Sequence, residues 1–254
     1  MNPDRRAAYL RALDVTVYRP RAVAGSVPAT SAAVEPEAAA RAQYAVGAPR
    51  SAVSATAPPA SAASLDALCR QVAECRRCKL CEARTQTVFA AGSPRAELMV
   101  IGEGPGADED AKGLPFVGRA GRLLDQMLLA IGRSRAGDEP PRSVYIANVV
   151  KCRPPGNRDP QPDEVEACRP YLDRQIELVA PKLIVALGRV AAQRLLGVNL
   201  PLSKLRGGQY EYGPRNTPVL LTYHPAYLLR SPSEKAKAWD DLKRIHRFLV
   251  AASK

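Results

Sequence analysis

The sequence predicts an α/β fold, a mainly parallel sheet covered by helices on both faces, preceded by a disordered Ala/Pro-rich N-terminal extension. Three observations carry this. From residue 65 onward, short apolar runs of strand length alternate with amphipathic stretches of helix length. The order strand, helix, strand repeats along the chain, the pattern that builds a parallel sheet. With 46% hydrophobic content in 254 residues there is enough material for one sizeable domain with a tail.

Residues 1–19 form the first element, a short amphipathic basic peptide in which RRAAYLRALDVTVYRPR sets Tyr9, Leu10, Leu13, Val15, Val17 and Tyr18 between basic flanks. Residues 20–64 hold 17 alanines and 6 prolines and no Leu, Ile, Phe, Met or Trp, so burial cannot offset the entropy of ordering them; they are expected to be a disordered linker. The domain is expected over 65–254. Helical spacing covers 65–74, and ELMVI (97–101) is a strand. GRAGRLLDQMLLAIG (118–132) is a helix and SVYIANVV (143–150) the next strand. DEVEACRPYLDRQIELV (163–179) is a helix, KLIVALG (182–188) a strand, RVAAQRLLG (189–197) a helix and PVLLTYH (218–224) a strand. The last helix runs from Glu234 to Leu249. Ligands of such sheets sit beyond the carboxyl ends of the strands. Those ends are followed by GEGPG (102–106), the Asn148 region, Gly188 and His224-Pro225.

Composition narrows the function. Asp4, Arg5 and Arg6 stand where a secretory signal would need its apolar segment, and no run approaches a membrane span, so a cytoplasmic protein is expected. Six cysteines are too few for a disulfide scaffold, which favours metal or cluster ligation. The formal net charge of +12 points to a polyanionic partner, and +9 of it lies in residues 65–254.

Cys75-Arg-Arg-Cys78 is a tight pair, while Cys152 and Cys168 lie far downstream with fifteen residues between them. A zinc ribbon would need a second tight pair. A bacterial ferredoxin run would need a fourth Cys followed by Pro, where Thr85 and Gln86 stand. Spacing therefore favours iron-sulfur over zinc, with Cys81 left open as a competing partner of Cys78 and Cys69 as a small apolar filler. GEGPG lacks the third glycine of a dinucleotide loop, and Glu103, Asp108, Glu109 and Asp110 make it hostile to phosphate. Such a loop suits a developing cation or an activated water, or is simply a solvated acidic turn. His224 stands in HPAYLLRSP, where Pro225 stiffens the turn and Arg230 could reach a phosphate, whereas His246 sits on a solvated basic helix face.

CRRC, GEGPG, GLPFVGRAG, NVVKCRPPGNRDP, ACRPYL, ALG and HPAYLL, in this order, resemble the family-four uracil-DNA glycosylases over about residues 65–250. The resemblance implies a three-layer α/β/α fold with a central four-stranded parallel sheet. It also implies monofunctional removal of uracil from DNA in base excision repair and a structural 4Fe-4S cluster on Cys75, Cys78, Cys152 and Cys168. Cys81 falls where that motif requires no cysteine. Relatives that trap uracil-DNA covalently carry an inserted KRRIH loop; none follows 118–132 here, so turnover is expected.

By the same resemblance Phe116 stacks on the extruded base and Asn148 reads uracil, donating to O4 and accepting from N3-H. Glu109 faces C5, and the main-chain N–H of Gly104 contacts the base. Glu103 stabilises the oxocarbenium-like sugar or positions water, and His224 donates to O2 of the departing uracil. Leu228 or Leu229 is expected to plug the duplex, and Lys151, Arg153, Arg158, Arg169 and Arg230 to follow phosphates. A monomer acting near the bacterial nucleoid is expected. Residues 1–18 weakly resemble the clamp-loader-docking peptide of the psi subunit, or are a tail packed on its own domain. The competing class is a non-catalytic iron-sulfur DNA-binding module tethered to replication machinery; a Rossmann nucleotide binder is disfavoured by the acidic loop.

Overall fold

The computed structural model describes residues 62–252. The peptide at 1–19, its clamp-loader docking and the linker as far as residue 61 lie outside the described residues. Packing begins at the linker's last three positions. Ala62 is buried, its carbonyl accepts from Arg174 Nε at 3.0 Å and Nη2 at 2.8 Å, and Ser64 caps the first helix by accepting the Ala67 N–H. A lone alanine and a capping serine leave no hydrophobic signal, which is why the sequence placed this start later.

In chain order the elements are α1 (Leu65–Ala73), α2 (Leu80–Ala83), β1 (Ala91–Gly92), β2 (Leu98–Gly102), α3 (Ala107–Lys112), α4 (Arg119–Ala130) and β3 (Val144–Asn148). They continue with α5 (Pro162–Val179), β4 (Leu183–Leu187), α6 (Gly188–Leu196), α7 (Leu202–Leu205), β5 (Tyr210–Tyr212), β6 (Thr217–Thr222), α8 (Pro225–Arg230) and α9 (Lys235–Ala251). The sheet order is β1-β3-β2-β4-β6-β5. Its four central strands are parallel, as expected, and the two edge strands are antiparallel additions. The edges escaped the sequence because β1 is two residues long and β5 is half-buried among glycines and polar side chains.

Side-chain alternation sorts the core into two layers. Met99 and Ile101, Tyr145 and Ala147, Ile184 and Ala186 face α1, α5 and α6. Leu98 and Val100, Val144 and Ile146, Leu183, Val185 and Leu187 face α4, α8 and α9. Each Leu, Ile and Met among them is worth about 2–5 kcal/mol against truncation to alanine, so the sheet is a rigid platform. The parallel register sets Gly102 opposite Asn148 and Leu187 opposite Thr222. Four strands therefore end along one rim.

Candidate active site and cysteine site

That rim opens into a cleft of ≈ 740 Å³. Glu103 and Gly104 enter from the end of β2, Asn148 from β3, Gly188 and Arg189 from the start of α6, and Tyr223 and His224 from the end of β6. Glu109 and Phe116 come from the connection between β2 and α4, and Asp159 from the loop before α5. Glu103, Gly104, Glu109, Phe116, Asn148 and His224 thus share one cavity, and Arg158 and Arg230 also line it.

Asn148 is 2% exposed, and its Oδ1 is buried with no hydrogen-bond partner among the described residues. Such an orphan costs about 1–3 kcal/mol, which a ligand donor would recover. Gly102 gives it room: a Cβ there would stand 2.5 Å from Asn148 Oδ1 and 2.6 Å from Phe116 Cζ. Phe116 is 7% exposed and takes a left-handed backbone, φ 55°, and its ring lines the cleft. Two groups hold that turn. Arg135, paired with Asp125 at 2.7 Å, donates to the carbonyls of Pro115 at 2.8 Å and Phe116 at 3.2 Å. Glu109 accepts from the N–H groups of Gly106, Val117 and Gly118 at 2.9–3.2 Å. GEGPG itself is a loop, and the acidic residues that follow it lie on a short helix, α3, whose Glu109 clamps the neighbouring loop. Neither Arg135 nor Asp125 carries a motif that sequence reading could have used.

His224 packs against Phe116 with ring centroids 5.6 Å apart. It caps α8, its Nδ1 accepting the Ala226 N–H at 3.2 Å. An accepting Nδ1 leaves the proton of a neutral imidazole on Nε2. Neutral it is, because burial first, and then Arg230, lower it to about 4, against a smaller opposing pull from Glu109. The close seat comes from Gly188, which turns β4 into α6 at φ +86° and where a Cβ would stand 2.9 Å from His224 Cβ.

Glu103 is pushed up to about 7, chiefly by burial and then by Asp159, whose carboxyl lies within hydrogen-bonding reach; Arg189 and Arg194 pull the other way. Arg189 is bound to Asp159 Oδ2 at 2.7 Å. Asp159 lies inside NVVKCRPPGNRDP and Arg189 opens RVAAQRLLG, and neither was singled out from the sequence.

The second site lies behind β3. Cys75, Cys78, Cys81, Cys152 and Cys168 surround a small pocket with Arg84, Lys151 and Tyr171. Arg84 Nη1 donates to Cys152 Sγ at 3.0 Å and its Nη2 reaches the Cys75 carbonyl at 2.9 Å. Burial raises Cys78 and Cys152, and takes Cys168 up to about 12. Buried thiols flanked by two cations fit a ligand that keeps sulfur anionic, as iron or zinc does. Among the described residues no three His, Cys, Asp or Glu side chains stand together closely enough to hold a single metal ion. Cys69 is exposed on α1, away from this group.

Two expected DNA contacts, Lys151 and Leu228, need correction. Lys151 is 1% exposed, with Nζ on the Asn148 carbonyl at 2.7 Å, so it cannot follow phosphates. Leu228 is 1% exposed and packs in the core against α4 and α9, so it cannot enter a duplex; Leu229 is half-buried beside it. Helical spacing turns Tyr227 outward instead, 37% exposed and stacked on Tyr223 with centroids 5.3 Å apart. Arg158 makes a two-pronged pair with Glu164 at 2.6 and 2.8 Å, and Arg153 donates to Asn157 Oδ1 at 2.7 Å. Arg169 is paired with Glu166. Arg230 is exposed at the cleft mouth. No described helix is long and apolar enough to cross a membrane.

Residues 89–243 match the family model of the Uracil DNA glycosylase superfamily. The chain is 44% identical over 194 residues to a type-4 uracil-DNA glycosylase of Sulfurisphaera tokodaii, covering 74% of this chain and 86% of that protein. It is 44% identical over 189 residues to a type-4 uracil-DNA glycosylase of Archaeoglobus fulgidus, covering 72% and 92%. With one of Thermotoga maritima it shares 39% identity over 189 residues, covering 73% and 94%.

Proposed function

The chain belongs to the uracil-DNA glycosylase superfamily, in its type-4 group, and is an N-glycosyl hydrolase of base excision repair; we propose that Glu103 and His224 divide its chemistry. Uracil-containing DNA is the substrate. The base must leave the stack, at a cost of a few kcal/mol, before its bond to the sugar can be reached.

The observation that carries the assignment is the orphaned Oδ1 of Asn148 in the cleft that holds both groups. Uracil N3-H supplies the missing donor, and the amide nitrogen donates to O4. Cytosine reverses both polarities and leaves buried groups unpaired, about 1–3 kcal/mol each. Phe116 offers a ring face to the base, and Glu109, fixed by three main-chain donors, is the rigid wall that a C5 methyl would meet. The main-chain N–H of Gly104 adds a donor from the β2 end.

Breaking the bond leaves positive charge on the deoxyribose and negative charge on uracil. His224, neutral with its proton on Nε2, donates to O2 of the departing anion, a contribution of about 2.7–4 kcal/mol by analogy with oxyanion donors. Glu103, ionised, stabilises the sugar cation and orients the water that completes hydrolysis. Turnover follows, with no covalent protein intermediate.

Cys75, Cys78, Cys152 and Cys168 are assigned to a 4Fe-4S cluster. The residues fit: two distant segments bring thiols together beside Arg84 and Lys151, which offset the charge of a tetrathiolate site. When bound, the cluster supplies a cross-link between the start of the domain and the 152–168 segment, and no step of hydrolysis. Cys81 lies at the same pocket and is left outside the ligand set.

The test is alkali-labile cleavage of a uracil-containing oligonucleotide. Wild type should cleave it, and Glu103→Gln and His224→Ala should each lower kcat by at least about 100-fold while DNA binding persists. Wild-type rates in both variants would remove the assignment.

A further inference from the structure

Lys151 was expected on the DNA side, yet it is among the largest fully buried side chains of the domain. An ammonium in such a place is tolerated only with partners that repay its lost hydration. Here the partners belong to two different sites. Nζ donates to the main-chain oxygen of Asn148 at 2.7 Å. The same side chain lines the cysteine pocket beside Cys152 and Cys168.

We propose that Lys151 is a positioning residue joining the cysteine site to the uracil-reading amide of Asn148. The inference rests on the assignments of Asn148 and of the cluster made above. Main chain on both sides of the link is fixed: Val149 donates to the Gly102 carbonyl at 2.9 Å, Val150 to that of Glu103 at 3.2 Å, and Val88 to that of Lys151 at 2.8 Å. The Asn148 peptide is therefore set between β2 on one side and the Lys151 ammonium on the other. Its side chain is buried and shares with the Phe116 ring the space that Gly102 leaves open. A tetrathiolate site holds the ammonium by charge, the ammonium holds the Asn148 carbonyl, and the amide is thereby aimed at N3 and O4. The cysteine site, remote from the bond that breaks, thus acts on base selection.

Lys151→Met keeps the length of the side chain and removes both the charge and the donor. In the full-length iron-loaded protein three quantities are measured: iron per chain, the reduction potential of the cluster, and affinity for oligonucleotides carrying a non-hydrolysable 2′-fluoro-uridine or 2′-fluoro-cytidine. The expected result is retained iron, a lowered potential because a nearby cation is gone, and a uracil-over-cytosine preference reduced roughly 10- to 100-fold. Iron-loaded Lys151→Met with the wild-type preference overturns the proposal. Should that variant fail to fold, Lys151→Arg keeps the charge but brings a longer, planar fork into a fully buried place, which displaces the donor from its 2.7 Å contact with the Asn148 carbonyl. A reduced preference in it supports the proposal, and an unchanged one overturns it. Wild type lacking iron, or lacking a preference for uracil, would instead defeat the underlying assignments.

Discussion

At the level of single residues, the Glu103 carboxyl decides the response to pH. Its ionised form is the one that faces a sugar cation, and burial with Asp159 raises it to about 7 while Arg189 and Arg194 oppose. Activity should therefore rise with pH through about 7, as the carboxylate forms, and fall on the acid side. His224, lowered to about 4, stays neutral across that range and contributes no second limb there. Asp159→Asn removes the neighbouring negative charge, so the acid limb should move to lower pH. Arg189→Gln removes an opposing cation and should move it higher. A kcat profile across pH 5–9 for the three proteins checks both directions, and coincident profiles would separate Asp159 from the mechanism. The residues brought together in this cleft were legible because each lies in a motif, at a strand end or in the connection after β2. The roles of Asp159, Arg189 and Arg135 were not, since ion pairs between distant segments leave no periodic trace. Lys151 misled for a related reason: a lysine among basic neighbours reads as surface until its burial is seen.

At the level of elements, strand ends and helix starts set the geometry of the cleft. The four parallel strands and the long helices were legible because buried apolar runs and amphipathic spacing repeat in phase with their secondary structure. Short elements without that signal were missed: β1, β5, the polar α3, and α8, which opens directly at Pro225 and was read as a turn. Helix α8 matters most, since its phase puts Leu228 into the core and Tyr227 at the surface. Tyr227, resting on Tyr223 at the cleft mouth, offers an aromatic face to a neighbouring base, worth about 1–3 kcal/mol. Tyr227→Ala should weaken binding of uracil-containing DNA by at least about fivefold and leave the melting temperature near that of wild type. Leu228→Ala should do the opposite, costing about 2–5 kcal/mol of stability through a core cavity. Paired titration and calorimetry distinguish the two. The β4–α6 junction gives a second expectation: Gly188→Ala forces a side chain into a left-handed turn against His224 and should cost about 1–3 kcal/mol while lowering kcat.

On the scale of the whole molecule, the cysteine site ties together parts of the chain that the sheet alone does not. Cys75 and Cys78 follow α1, Cys152 follows β3 and Cys168 lies within α5, so one ligand there closes loops of some seventy residues. Cross-links of that span stabilise by roughly 3–5 kcal/mol on the disulfide analogy. For a domain of this size that is a melting shift of about 6–20 °C. Without a metal, the same pocket holds raised thiols beside the half-buried guanidinium of Arg84 and the buried ammonium of Lys151, whose charges then have hydrogen bonds but no thiolate to face. Cys168→Ser should therefore lose iron and the broad absorbance near about 400 nm expected of iron-sulfur proteins, and melt lower by that amount. Cys81→Ser should keep both iron and melting temperature. The reverse outcome, iron retained without Cys168 and lost without Cys81, would move the fourth ligand to Cys81. It would also leave α5 outside the cross-link, which would then join only the segment that follows α1 to Cys152 in the loop leading from Asn148.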